Sequence, residues 1–277
     1  RTRCDGRRFA VGGGVEEGYL KAMLSYLANP LRFMRFSRLA VPISFALGAL
    51  MIGWSLYNGL FVVPPDAAQG GDLMRAMFTH VPSAWLCLGL YAALAGASFV
   101  WFIWRHELAD VAARAIAPIG AGYTALCFIT GSIWGQKGWG AGWHNLILGD
   151  SRLMSVLVLF FLFLGYMALR AALETRQKAA RAAAILAMVG FINVPIIKVS
   201  VDMWQTTTIH QPSSVISIGN PEPRPEDSGM DAVYLQQLLW GFGGHSLLAA
   251  AMIMMLMRSE VYTQQADRAL ALKLEGA

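Results

Sequence analysis

Long apolar stretches alternate along the chain with shorter polar ones. Residues 39–63, 81–104, 115–134, 153–169 and 233–257 contain no Asp, Glu, Lys or Arg. Each is near the length at which a helix rising about 1.5 Å per residue crosses roughly 30 Å of hydrocarbon. A sixth stretch, 182–197, is shorter and is followed by Lys198. The pattern predicts an all-α, polytopic membrane protein, a bundle of six transmembrane helices within 39–257. A cytoplasmic tail and amphipathic segment (1–38) precede it and a cytoplasmic tail (258–277) follows.

Composition agrees, since 56% of the 277 residues are hydrophobic and only 14% are charged, well away from soluble averages. Charge adds the orientation. Of the 22 Lys and Arg, 17 fall in segments 1–38, 105–114, 170–181 and 258–277. Basic residues mark cytoplasmic loops, so both termini are expected in the cytoplasm and loops 64–80, 134–152 and 205–231 outside. The net charge of +5 then reports topology, and its dispersal gives no reason to expect nucleic acid. Residues 1–22 lack the apolar core of a signal peptide and read as a tail, an upstream extension if Met23 is the start. Residues 25–38 are amphipathic and basic, suited to an anionic membrane surface or to a plain juxtamembrane linker.

Candidate chemistry gathers on the outer side. Loop 134–152 places Trp134, Trp139 and Trp143 among five glycines, flat amphipathic rings on backbone that a ligand can approach closely. Trp134 alone reads equally well as an interfacial anchor. Loop 64–80 opens with Pro64-Pro65-Asp66 and ends at His80, with Pro82 in the first turn of the second helix; this puts His80 just outside that helix. His210-Gln211-Pro212 gives a second histidine at a helix mouth on the same side. An external imidazole can ligate a metal, although one taken singly is more often an ordinary solvated residue. His106 falls on the cytoplasmic side, His144 in the tryptophan loop, and His245 midway along the sixth helix, where a histidine beside glycines usually bonds between helices. Pro195 predicts a kink in the fifth helix, with Lys198 and Asp202 four apart as a pair in a polar cavity or as snorkelling groups. The three cysteines are scattered with no CxxC or CxxCH spacing, which supports neither thiol redox chemistry nor covalent haem attachment. Two histidines and an aromatic platform imply a planar ligand on the outer face that can carry a metal.

The motifs resemble a family. Thr130-Gly131-Ser132-Ile133-Trp134-Gly135, Trp139-Gly140 and Asp150-Ser151-Arg152-Leu153 are similar to the tryptophan-rich signature of CcmC, haem exporter protein C of cytochrome c maturation. His80-Val81-Pro82-Ser83-Ala84-Trp85, Pro195-Ile196-Ile197-Lys198 and His210-Gln211-Pro212-Ser213-Ser214 extend the resemblance from about Asn29 to about Arg258. It implies a protein of the bacterial inner membrane that is not an enzyme and that handles haem b. It further implies axial ligation of the haem iron by His80 and His210, with Trp134, Trp139, Trp143, Asp150 and Arg152 around the haem. The implied partners are a periplasmic haem chaperone, CcmE, a small membrane protein, CcmD, and an ABC transporter, CcmAB. The chain departs from the family's pattern where Gly142 replaces a tryptophan, where Asn145–Gly149 add length, and where Thr206-Thr207-Thr208 lengthen the approach to His210. The rival functions are a cytochrome b type electron-transfer subunit, which needs facing histidines within the membrane, and a small-solute transporter using Lys198 and Asp202.

Overall fold

The computed structural model describes residues 29–66, 71–138, 149–203 and 232–275. Seven helices order them: α1 (Pro30–Tyr57), α2 (Met77–Trp104), α3 (Glu107–Gly138), α4 (Ser151–Ala172), α5 (Arg176–Gly190), α6 (Asn193–Met203) and α7 (Ala232–Glu275). They supply six stretches long and apolar enough to cross a membrane, α5 and α6 together making the fifth. Lipid offers no hydrogen bonds, so helices that satisfy their own backbone are the physical consequence of such a sequence. Among the described residues there is no sheet, only an isolated antiparallel bridge between Asp66 and Gly71.

Most helices run past the apolar stretches that predict them, for reasons visible at their ends. Asn29 caps α1 by accepting from the Leu31 N–H at 2.9 Å, with Pro30 in the first turn, a helix start that chemistry alone favours. The basic residues 30–38 are therefore continuous with the first span and do not form a separate surface segment. Phe33 and Met34 pack against Val111, Ala115, Met257 and Val261, and the Arg258 guanidinium donates to the Met34 carbonyl at 3.0 Å and to Ser37 Oγ at 3.1 Å. At its other end α1 passes into a π-helical turn, Asn58–Val62, capped by Val63, and the carbonyls of Gly59 and Val63 accept from Arg75 at 2.8 and 3.2 Å. The apolar stretch of the last span ends at Met257, but α7 continues to Glu275 and is about 66 Å long at 1.5 Å per residue.

The expected kink at Pro195 lies one turn upstream of it. A helical proline clashes with the carbonyl four residues back, here Phe191, and the interruption falls between Gly190 and Asn193. Asn193 steadies it by donating to the Ser155 carbonyl at 2.9 Å. The core at this level is Tyr91 edge-on to Phe163, centroids 4.9 Å apart, with Leu94 and Leu159 fully buried.

α1 lies at the periphery and packs chiefly on α7, backbone against backbone. A Cβ on Gly244 would lie 2.8 Å from the Ile52 nitrogen and 3.0 Å from the Gly48 oxygen, and neither backbone atom can yield. Close approach of this kind is what small residues allow in membranes. Gly244→Val is expected to cost about 1–3 kcal/mol by overpacking, read as a lowered thermal midpoint in detergent; an unchanged midpoint would show that α1 is free to move aside.

The end of the bundle where α1 begins and α7 ends carries an ion-pair network among four helices. Asp110, 6% exposed, takes both guanidinium nitrogens of Arg170 at 2.6 and 2.8 Å. Arg176 lies 3.8 Å from Asp110 and 3.3 Å from Glu260, which also pairs with Arg114 at 2.5 Å. Asp110 stands in the first turn of α3 and Arg170 in the last of α4, where each sign suits the helix dipole.

Candidate functional site

At the opposite end, a turn of 3-10 helix (Asp72–Ala76) leads directly into α2. The helix thus begins before His80, and the expectation of a histidine just outside it is corrected. His80 lies within the first turns of α2, partly buried, with Pro82 beyond it. Gly241 of α7 gives Pro82 room, since a Cβ there would lie 3.1 Å from the proline Cγ.

The His80 ring is set by α3. Its Nδ1 lies 3.0 Å from Thr130 Oγ1, while the Thr130 hydroxyl donates back to the Leu126 carbonyl at 2.6 Å. With that proton committed, the threonine oxygen is the acceptor and His80 Nδ1 carries the hydrogen. The network therefore assigns an Nδ1–H tautomer whose Nε2 keeps its lone pair. An imidazole oriented through one nitrogen to ligate through the other is the usual form of a metal-binding histidine. Gly131 completes the seat: a Cβ there would stand 2.8 Å from His80 Cε1, so only glycine lets α3 approach the ring this closely.

Trp134 follows on the same face, three and four positions beyond Gly131 and Thr130. It belongs to α3, with its indole nitrogen shielded from solvent, and not to a loop. Asp150 and Arg152 stand at the start of α4. The Asp150 carboxylate, 3% exposed, accepts from the Leu153 N–H at 2.8 Å and so acts as the helix cap. The Arg152 guanidinium lies within electrostatic range of both His80 and Cys127. An oriented imidazole early in α2, an indole late in α3 and a cation at the start of α4 thus belong to the same end of the bundle.

A family model described as CcmC, heme exporter protein C, matches residues 23–272. The chain belongs to the CcmC family. A "Heme exporter protein C" of Bradyrhizobium diazoefficiens is 42% identical over 235 residues, 85% of this chain and 84% of that protein. The Escherichia coli K12 protein of the same name is 37% identical over 219 residues, 79% and 82% of the two. That of Rhodobacter capsulatus is 34% identical over 234 residues, 84% and 91%.

Of the residues that family resemblance assigns to haem, the structure places His80 in α2, Trp134 in α3 and Arg152 in α4, towards one end of the bundle, and makes Asp150 the cap of α4. His210, Trp139 and Trp143 lie outside the described residues, as do His144 and the lengthened Thr206–Thr208 approach. The other two described histidines are otherwise engaged. His106 Nδ1 accepts from the Ala109 N–H at 3.3 Å at the start of α3. His245, as expected of a histidine between helices, meets the Tyr123 hydroxyl at 3.3 Å, which also reaches the His245 carbonyl at 3.3 Å. Lys198 lies in α6, and the side chain of Asp202 is outside the described residues. Sequence reasoning missed Thr130 as the orienting partner of His80; the Thr130-Gly131 pair in the signature was the available signal.

Proposed function

We propose that this protein binds haem b at the periplasmic face of the bacterial inner membrane and hands it to a periplasmic chaperone, CcmE, in the maturation of c-type cytochromes. The observation that carries the reading is the His80 imidazole, held by Thr130 through Nδ1 with Nε2 left to bind iron. His210 is the second axial ligand, on the loop that follows α6. Trp134, Trp139 and Trp143 pack on the porphyrin face, and Arg152 pairs with a propionate that Asp150 indirectly aligns through the α4 start. CcmD and the ABC transporter CcmAB complete the assembly, and the protein itself transfers haem without catalysing a covalent change in it. Haem transport in cytochrome c biogenesis agrees with what the named relatives are called.

The test is a purified full-length protein, with and without added haem, read by its Soret band and by whether CcmE co-purifies. No Soret band in either preparation would overturn the proposal. The cytochrome b reading is less well supported, because His245 is engaged by Tyr123.

Two expected outcomes follow for the loop. With the basic residues cytoplasmic, a cysteine placed at Ala141 reacts with an impermeant thiol reagent in intact spheroplasts; labelling only after lysis would reverse the topology. Changing Trp139 and Trp143 together to Ala costs about 1–3 kcal/mol of haem binding through lost aromatic burial, measured by haem titration. Trp134→Ala costs less. Unchanged occupancy in the double variant would mean that Asn145–Gly149 have carried the platform away from the haem.

A further inference from the structure

The first turns of α1 carry Arg32, Arg35 and Arg38, with no carboxylate in the opening turn, although that end of a helix dipole is positive and favours anions. Arg258 of α7 adds a fourth cation. It is partly buried in the seam between the two helices, where its Nη1 supplies both of the bonds that tie it to the Met34 carbonyl and to Ser37 Oγ. A guanidinium has five N–H donors in a planar fork. The three on Nε and Nη2 are therefore left over, and none of them meets an acceptor among the described residues. Three carboxylates at this end of the bundle are committed elsewhere, Asp110 to Arg170, Glu260 to Arg114 and Arg176, and Glu107 to Arg268. Arg35, Arg38 and Arg258 form no ion pair among the described residues. Arg38 lies one turn beyond Met34, and Arg35 is three positions before Arg38, so both leave α1 on the flank of the seam that holds the Arg258 head. Both are exposed. Apolar surface continues from these cations into the bilayer. Phe45, two turns from Arg38 on the same face, and Met255, three positions before Arg258, are exposed. On the polar side stands the exposed Tyr262 ring, 6.0 Å from the Arg258 guanidinium carbon, an aromatic of the kind that sits at headgroup level.

Cations with spare donors, an interfacial ring and an apolar track leading into the bilayer together fit a phosphate that carries acyl chains. We propose that the seam between the start of α1 and α7 binds the headgroup phosphate of an anionic phospholipid, with Arg258 as the central donor and Arg35 and Arg38 beside it. The free edge of the Arg258 fork pairs with two phosphate oxygens, the geometry for which a guanidinium is suited. Its Nη1 bonds to α1 already hold the fork in place, so little side-chain freedom is lost on binding. The acyl chains run along Phe45 and Met255. The bound phosphate also relieves the repulsion between Arg258 and the arginines of α1, and so strengthens the hold of α7 on a helix that lies at the periphery. A free phosphate shares the head chemistry but leaves the apolar track uncovered, which is why the site is assigned to a lipid. It lies at the opposite end of the bundle from His80, and nothing in it rests on the haem reading.

The experiment uses the full chain purified in mild detergent and supplied with phosphatidylglycerol or phosphatidylcholine at equal mole fraction. Bound lipid is counted by native mass spectrometry, and the thermal midpoint is measured in parallel. One phosphatidylglycerol is expected to survive collisional activation that strips phosphatidylcholine, and to raise the midpoint where phosphatidylcholine does not. Arg35→Gln and Arg38→Gln are each expected to weaken retention about fivefold, the factor that corresponds to one arginine near an anionic lipid surface. Arg258→Gln is expected to abolish it. That variant also gives up the bonds to Met34 and Ser37, so if it fails to fold, the Arg35 and Arg38 variants decide the matter. Arg181→Gln, which removes an exposed arginine of α5, leaves retention unchanged. Equal retention of the two lipids, or a preference that survives in both α1 variants, would overturn the proposal. So would an equal loss in Arg181→Gln, which would show attraction to diffuse charge. Inorganic phosphate at the same concentration is expected neither to displace the lipid nor to raise the midpoint; if it does either, the site takes a free anion and the lipid assignment falls.

Discussion

Replacing His80 with Ala is expected to convert a six-coordinate haem into one with an open iron position, shifting the Soret band while haem remains bound. A bis-histidine site leaves neither axial position open, so loss of one imidazole is read directly in the spectrum, and added imidazole restores the original form. His210→Ala should do the same, while His245→Ala should not, because its ring is engaged by Tyr123 within the bundle. Thr130→Val gives an intermediate result, since it removes the acceptor that fixes the His80 tautomer, and loss of such a supporting bond typically costs 10–100-fold in metal affinity. The instructive competitor is His144. Should His144→Ala alter the spectrum as His80→Ala does, with His210→Ala silent, the second ligand comes from the tryptophan loop, and the added Thr206–Thr208 residues are the reason.

The largest effect on stability is expected from Asp110→Ala. Removing one partner of a buried ion pair leaves a desolvated charge and costs about 3–5 kcal/mol, whereas replacing both by apolar groups is close to neutral. The geometry predicts an asymmetry. Without Asp110, Arg170 loses both of its short bonds and remains 9% exposed. Without Arg170, Asp110 still has Arg176 at 3.8 Å. Asp110→Ala should therefore lower the thermal midpoint in detergent more than Arg170→Met, and the double variant should recover much of the loss. Equal single effects that add in the double variant would show that the pair is not coupled.

The spans themselves were legible because hydrophobicity over some twenty residues is a local property, and lipid leaves such a segment one economical conformation. The ends were less so. α1 takes in residues 30–38 because α7 and α3 give Phe33 and Met34 something to pack on, a contact between segments that no window on the sequence contains. His80 was legible as a candidate through its neighbours and the family motif, but not its place inside the helix, since the rule that puts proline in the first turn takes no account of the 3-10 turn that feeds α2.

The sequence by itself determined that this chain forms membrane-crossing helices, with its basic residues segregated to alternate segments and its candidate ligands in the others. Those properties follow from composition and order alone. Only the tertiary structure decided which nitrogen of His80 carries the hydrogen, because that depends on where the Thr130 hydroxyl sends its own proton. It alone seated the His80 ring against Gly131 and paired Asp110 with Arg170. Each depends on helix rotation and crossing, set by where glycines such as Gly131 and Gly244 allow backbones to approach, and those are properties of pairs of helices, not of either one.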